Sequence, residues 1–379
     1  MLEKKNDWHT HVYTSTYAAD VSGCCSMMYE LGGMTVLHDP SGCNSTYTTH
    51  DEPRWYGQKS LMFISGLDEM AAIMGDDAVI INDVATAAKD LKPRFITLCG
   101  ASIPHVIAFD YPGVARLIEK RTGVPVIPVA TDGLRSYVHG AGLAGKQWIA
   151  RFASENVEKV PGSVNILGAT PLDFGDMRNI DAMKNTLEEA GFRVNCCFAM
   201  GASFEECAKV YQAECNVVVS ACGRMAARYM YGRKRIPFVE GIPTGEIESG
   251  LLRERINEAI RTNKNQVLQE TEDETYDTLV IGEEITALSL AETIRLSCGR
   301  RVKAVYPDDH EGIVEKDLID MIALAKTVVC DPLYQVICRG KKIVPLPHVA
   351  YSGRIYSKDI PVFCDKSFNV RKLLEGERK

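Results

Sequence analysis

Along the 379 residues, short runs of consecutive apolar residues alternate with longer stretches in which apolar positions recur every three or four residues. The first pattern suits strands buried on both faces, the second suits helices with one buried side. Their alternation predicts parallel sheets with helices on both faces. Strands are predicted at Thr35–His38, Arg94–Cys99, Val124–Val129, Val164–Leu167, Arg193–Phe198, Asn216–Ala221, Pro237–Glu240, Thr278–Ile281, Arg301–Tyr306, Thr327–Cys330 and Lys342–Leu346. Between them, segments such as "DAMKNTLEEAGF" and "EEITALSLAETIRLSCG" have helical spacing and a glycine near the stop.

The β–α repetition falls into three groups. The pattern breaks at "VEKVPGSVN", which ends a first unit over 1–161. The charged, Gln-rich "RTNKNQVLQETEDET" (Arg261–Thr275) reads as a solvated linker, separating a second unit over 162–270 from a third over 271–379. The expected fold is therefore α/β, with three Rossmann-like units of mostly parallel sheet and a site in the cleft between them.

Composition narrows the function classes. A chain that is 46% apolar and 25% charged builds a sizeable core. A net charge of -7, without a basic stripe, gives no reason to expect nucleic-acid binding. No uncharged apolar run of about 18 residues predicts a membrane span, and the start "MLEKKNDWHTHVYT" lacks the apolar core of a signal peptide. A cytoplasmic location is expected. Thirteen cysteines in such a chain are thiols, metal ligands or catalysts rather than a disulfide framework.

Several motifs lead nowhere. "GAGLAGKQ" (Gly140–Gln147) nearly spells a phosphate-binding loop, but it lacks the strand directly before it and the Ser or Thr after Lys146. No GxGxxG follows a strand, and there is no HExxH and no CxxC. The cysteines at turns differ. In "VLHDPSGCN", Pro40 and Gly42 force a tight turn after a strand and present Cys43 at its mouth. Cys99 closes the strand-like "RFITLC", and Cys24 and Cys25 follow Gly23 in a helical run. The carboxyl ends of parallel strands are where α/β sheets build sites, and thiolates are soft ligands suited to iron–sulfur clusters.

The order of these features resembles component 1 of nitrogenase and its relatives, the dark-operative protochlorophyllide reductases and nickel-sirohydrochlorin cyclases. The turn "HDPSGC", the segment "FISGLDEMAAIMGDDAVIINDV" (Phe63–Val84), the strand "PRFITLC", the run "GVPVIPVATDGLRSYVHGAGLAG" and "IPFVEGIPTGEIES" (Ile236–Ser249) occur in that family's order. One stretch departs: "IPHVIAFD" follows the third cysteine where relatives often carry an acidic loop.

The resemblance implies an iron–sulfur cluster, [4Fe–4S] or larger and P-cluster-like, held by Cys43, Cys99 and one of Cys24 and Cys25. Three thiolates do not complete a cubane, so it also implies a ligand from a related component 1-like chain, or from a second copy, at a shared interface. Electrons would come from a separate ATP-hydrolysing iron–sulfur reductase. His38, Asp39 and His50 stand near as donors of protons or hydrogen bonds. "SACGRMAARYM" and "LPHVAYSGRIY" resemble the segments that hold the large cofactor of nitrogenase, which implies a second iron–sulfur cofactor between Cys222 and His348. The function expected is a substrate-reducing subunit of a nitrogenase-like two-component enzyme. The alternatives are a tetrapyrrole-reducing subunit, a scaffold for iron–sulfur cofactor assembly, and a metal-free α/β binding protein.

Overall fold

The computed structural model describes residues 15–17, 19–40, 42, 52–270, 275–307 and 313–376. Among them twelve strands form three four-stranded sheets: β1 (Met34–His38), β2 (Leu61–Ile64), β3 (Ile96–Gly100) and β4 (Val126–Pro128); β5 (Ser163–Leu167), β6 (Arg193–Cys197), β7 (Cys215–Val218) and β8 (Phe238–Glu240); β9 (Thr278–Ile281), β10 (Val302–Val305), β11 (Thr327–Cys330) and β12 (Lys342–Pro345). The orders are β2-β1-β3-β4, β6-β5-β7-β8 and β10-β9-β11-β12. Every pairing is parallel. The fold is the α/β arrangement of three parallel sheets that the patterning predicts.

In each sheet the first and third strands sit side by side at the centre, and the chain leaves them toward opposite edges. A crevice opens at their carboxyl ends, the position where open α/β sheets bind ligands. The three crevices follow β1 and β3, β5 and β7, and β9 and β11. Central strands such as β1, β3, β5 and β9 are buried along their whole length, which is why they read as unbroken apolar runs.

Helix ends follow local chemistry. Ser136 accepts the His139 N–H at one start, Ser203 and Glu206 close a capping box at another, and Gly299 takes the left-handed conformation after Cys298. The Asp20–Met28 and Tyr137–Phe152 helices pack with their backbones in near contact. A Cβ on Gly23 would lie 1.8 Å from the Tyr137 carbonyl oxygen, and one on Gly140 would lie 1.7 Å from that of Asp20. The glycines of "GAGLAGKQ" thus lie inside a helix and let it approach its neighbour; they form no phosphate loop.

The expected linker is in part attached. Gln266 bridges in parallel to Val239 at the edge of the second sheet, donating its N–H to Phe238 and accepting that of Glu240. Among the described residues no helix is long and apolar enough to cross a membrane.

Candidate metal centre and the junction of the three sheets

The first crevice gathers thiols. Cys99 is the last residue but one of β3, opposite Leu37 of β1, and its Sγ donates to the Val36 carbonyl at 3.8 Å. All nine residues of the Asp20–Met28 helix are buried, and this helix brings both Cys24 and Cys25 within hydrogen-bonding reach of Cys99. Three buried thiols therefore meet at one strand end. Hydrogen bonding to Cys99 and burial push the Cys25 thiol well above its usual value, and contact with Cys24 together with burial does the same for Cys99. Without a cation they are neutral donors; metal loading would remove their protons. Cys43 and His50 lie outside the described residues.

Around the thiols the wall is polar and fixed. Asp20 accepts the Asp132 and Gly133 N–H groups at 2.8 Å each, which ties the loop after β4 to the cysteine-bearing helix. Burial pushes Asp20 up to about 6. His38 Nδ1 sits 2.8 Å from Ser65 Oγ, and burial lowers the ring to about 4, so it stays neutral. The Tyr111 hydroxyl is buried over Gly100, where a Cβ would lie 1.8 Å from it, and has no hydrogen-bond partner among the described residues. Among the described residues no three His, Cys, Asp or Glu groups are arranged to grip a single metal ion. The donor set, three soft sulfurs beside an unspent hydroxyl, suits a cluster in kind.

The second and third crevices meet at Asp173, which sequence reading missed. It follows β5 in the Pro171–Phe174 helix and is 2% exposed. Tyr137, from the helix that covers the first sheet, donates to its Oδ1 at 2.7 Å. Thr170 donates to Oδ2 at 3.3 Å, and the Cys222 thiol to the same oxygen at 3.6 Å. His348, reached after β12, places Nε2 3.3 Å from Oδ1, off the direction of a good hydrogen bond. Cys222 and His348 are thus brought to one carboxylate.

Two more acids close the junction. Glu283, after β9, accepts the Ala221 N–H at 2.8 Å and caps its own helix through Ile285 and Thr286. Burial, then the charge of Asp173, pushes it up to about 7. Asp331, after β11, accepts the His348 N–H at 2.6 Å and the Ser352 hydroxyl at 2.8 Å. Burial works against a charged His348 ring, but Asp173, with Asp331 and Glu283 behind it, holds the ring above its ordinary value. A signal existed in the sequence: each acid stands one to six residues beyond a predicted strand.

The carboxyl edge of the first sheet also carries uncovered apolar side chains. The Glu69–Met74 helix buries no residue, and Met70, Ile73 and Met74 are 66%, 70% and 72% exposed. Val106 is 80% and Leu134 75% exposed in the segments that follow β3 and β4.

Comparison with known proteins agrees with this architecture. The model of the nitrogenase component 1 type oxidoreductases matches residues 23–287. The chain is 26% identical over 183 residues to the nitrogenase iron-molybdenum cofactor biosynthesis protein NifE of Bradyrhizobium diazoefficiens, covering 47% of this chain and 33% of that one. It is 23% identical over 220 residues to a light-independent protochlorophyllide reductase polypeptide of Heliobacterium modesticaldum, covering 57% and 42%. It is 26% identical over 159 residues to the nitrogenase molybdenum-iron protein alpha chain of Methanosarcina barkeri, covering 40% and 29%. These alignments span less than half the length of each curated relative. The solved structure of nitrogenase Cp1 at pH 6.5 shares the fold, with a TM-score of 0.68 at 14% identity over 99% of this chain and 93% of that one.

Proposed function

The chain belongs to the nitrogenase component 1 type oxidoreductases, and from that membership we propose that it is the iron–sulfur-containing, substrate-reducing subunit of a nitrogenase-like two-component enzyme. The observation that carries this reading is the meeting of Cys24, Cys25 and Cys99 at the crevice between β1 and β3. Cys43, from the turn after β1, joins them as a ligand on the strength of the sequence. A cluster held by thiolates supplies one-electron transfer, [4Fe–4S] or larger.

What the chain itself contributes can be assigned by residue. Cys99 and the Cys24–Cys25 pair bind; Asp20 fixes the helix that carries the pair against the loop after β4. The Tyr111 hydroxyl is, among the described residues, a donor without a partner on the wall. The electrons for such a cluster would come from a partner, and the placement of "GAGLAGKQ" within a helix agrees with the ATP-hydrolysing part lying elsewhere. The donor we propose is an ATP-hydrolysing iron–sulfur reductase. Three or four thiols in one chain also favour a component 1-like partner, or a second copy, that completes the shell. The uncovered apolar side chains at the same sheet edge support this.

The test is anaerobic purification followed by iron and sulfide analysis of the wild type and of Cys43→Ser and Cys99→Ser. Loss of the visible absorption and of most of the iron in both variants is expected; full retention in both would overturn the reading. A second reading, a scaffold for cofactor assembly, is favoured by the likeness to NifE. Reconstitution with a nitrogenase-type reductase and ATP separates the two: substrate reduction supports the enzyme, and cluster transfer without turnover supports the scaffold.

A further inference from the structure

We infer that the Cys222–His348 pair of this chain holds no iron-rich cofactor, and that Asp173 locks the two side chains into a closed seam joining the three sheets. The inference goes beyond the proposed function and stands apart from the thiol site at β1 and β3.

A cofactor gripped at its two ends by a thiolate and an imidazole needs them on the order of 10 Å apart across open space, since metal–ligand bonds of about 2 Å are added at each side of a cluster. Here the space is filled. Cys222 Sγ and His348 Nε2 lie 3.6 and 3.3 Å from the two oxygens of one carboxylate. That carboxylate is itself fixed by Tyr137 at 2.7 Å and Thr170 at 3.3 Å, so it does not swing away without breaking two hydroxyl contacts. The Tyr351 ring stacks on His348 at 4.4 Å between centroids and closes another side.

The backbone leaves no more room. The loops after β5 and β7 touch directly: a Cβ on Gly168 would lie 2.6 Å from the Ser220 carbonyl oxygen, and one on Gly223 would lie 2.6 Å from Leu167. Gly168 also has φ +93°, which a side chain rarely adopts. The residue types that carry the resemblance are present, but the Asp173 carboxylate stands against both of them, accepting from the Cys222 thiol at 3.6 Å. Asp173, Cys222 and His348 come from two sheets and Tyr137 from the cover of the first, so the same contacts that exclude a cofactor hold the three sheets in register.

The experiment uses the full chain, purified anaerobically and reconstituted with iron and sulfide. Iron per chain is measured by native mass spectrometry and chemical assay in the wild type, Cys222→Ser, His348→Gln and Cys99→Ser. The expected result is that Cys222→Ser and His348→Gln bind as much iron as the wild type. Iron that falls in either variant, while circular dichroism and the Cys99-dependent absorption are unchanged, would overturn the inference. If a variant does not fold, the wild type alone decides: histidine nitrogen coupling to the reduced iron spin refutes the lock, and its absence upholds it. Retention of iron in Cys99→Ser would instead count against the proposed thiol site, so the two failures are distinct.

Discussion

The Tyr137 hydroxyl and the Asp173 carboxylate, 36 residues apart, share a buried 2.7 Å hydrogen bond that ties the cover of the first sheet to the loop after β5. Hydrogen bonds to a charged acceptor contribute about 1.5–3 kcal/mol. Tyr137→Phe keeps the ring and removes the donor, leaving Asp173 short of one partner. The unfolding free energy should fall by that amount, read as a lower denaturation midpoint with an unchanged slope. An unaltered midpoint would show that the junction does not depend on this contact.

The near contact of the Asp20–Met28 and Tyr137–Phe152 helices makes Gly140 intolerant of a side chain. Gly140→Ala forces a methyl group against the Asp20 carbonyl oxygen, where it would sit 1.7 Å away. Both atoms are in or beside backbone, so the helices must separate, at about 3 kcal/mol or more. Gly142→Ala is the control. Its Cβ would meet the flexible Met225 side chain at 3.2 Å, and the cost should be under about 1 kcal/mol, since alanine favours the helix. Thermal melts compare the two, and equal losses would refute the packing explanation.

Much of the fold was legible in the sequence: eleven of the twelve strands overlap the segments that the patterning predicts, most of them apolar runs. The strand it missed, β2, reads "LMFI", an apolar run that the sequence shows and that was passed over; in the fold it lies at a sheet edge with only Met62 buried and Phe63 40% exposed. The cysteines at strand ends were readable because turn residues frame them. Asp173 and Glu283 were not read, since an acid after a strand looks like any loop acid until tertiary packing buries it. What set Cys222 and His348 apart was residue type, which carries no information about what stands between them.

Stability should fall as pH rises through neutrality. Glu283 is pushed up to about 7 by burial and by Asp173, against about 4.3 for a free Glu. A carboxyl with a raised folded pKa binds its proton more tightly in the native state. Its contribution is complete below about pH 4 and lost on the way past about 7. His348, held above its ordinary value by Asp173, has the same sign: its contribution is present below its unfolded pKa and lost as pH rises through the folded one. Glu283→Gln should flatten the decline in melting temperature between about pH 5 and pH 8, by up to about 3 kcal/mol at one unit per 1.4 kcal/mol. A variant with the slope of the wild type would show that Glu283 does not titrate in this window.

The uncovered side chains at the carboxyl edge of the first sheet lead to the last expectation. Ile73 at 70%, Met74 at 72% and Val106 at 80% exposure gain nothing from the chain's own core. Each would contribute about 1.5–3 kcal/mol if covered by a neighbour. They follow strands β2 and β3, on the edge that also carries Cys99, where a second component 1-like chain would complete the ligand shell. The cluster-loaded protein should therefore sediment above the mass of one chain at micromolar concentration. Val106→Glu and Ile73→Glu place a charge at the covered surface, where an unpaired carboxylate costs several kcal/mol, and should return it to a monomer. The folded state should be unaffected, because neither residue is packed. Sedimentation of the two variants at matched concentration checks this, with iron content measured beside it. A wild-type chain that carries its full cluster as a monomer would defeat the expectation, as would variants that assemble as tightly as the wild type.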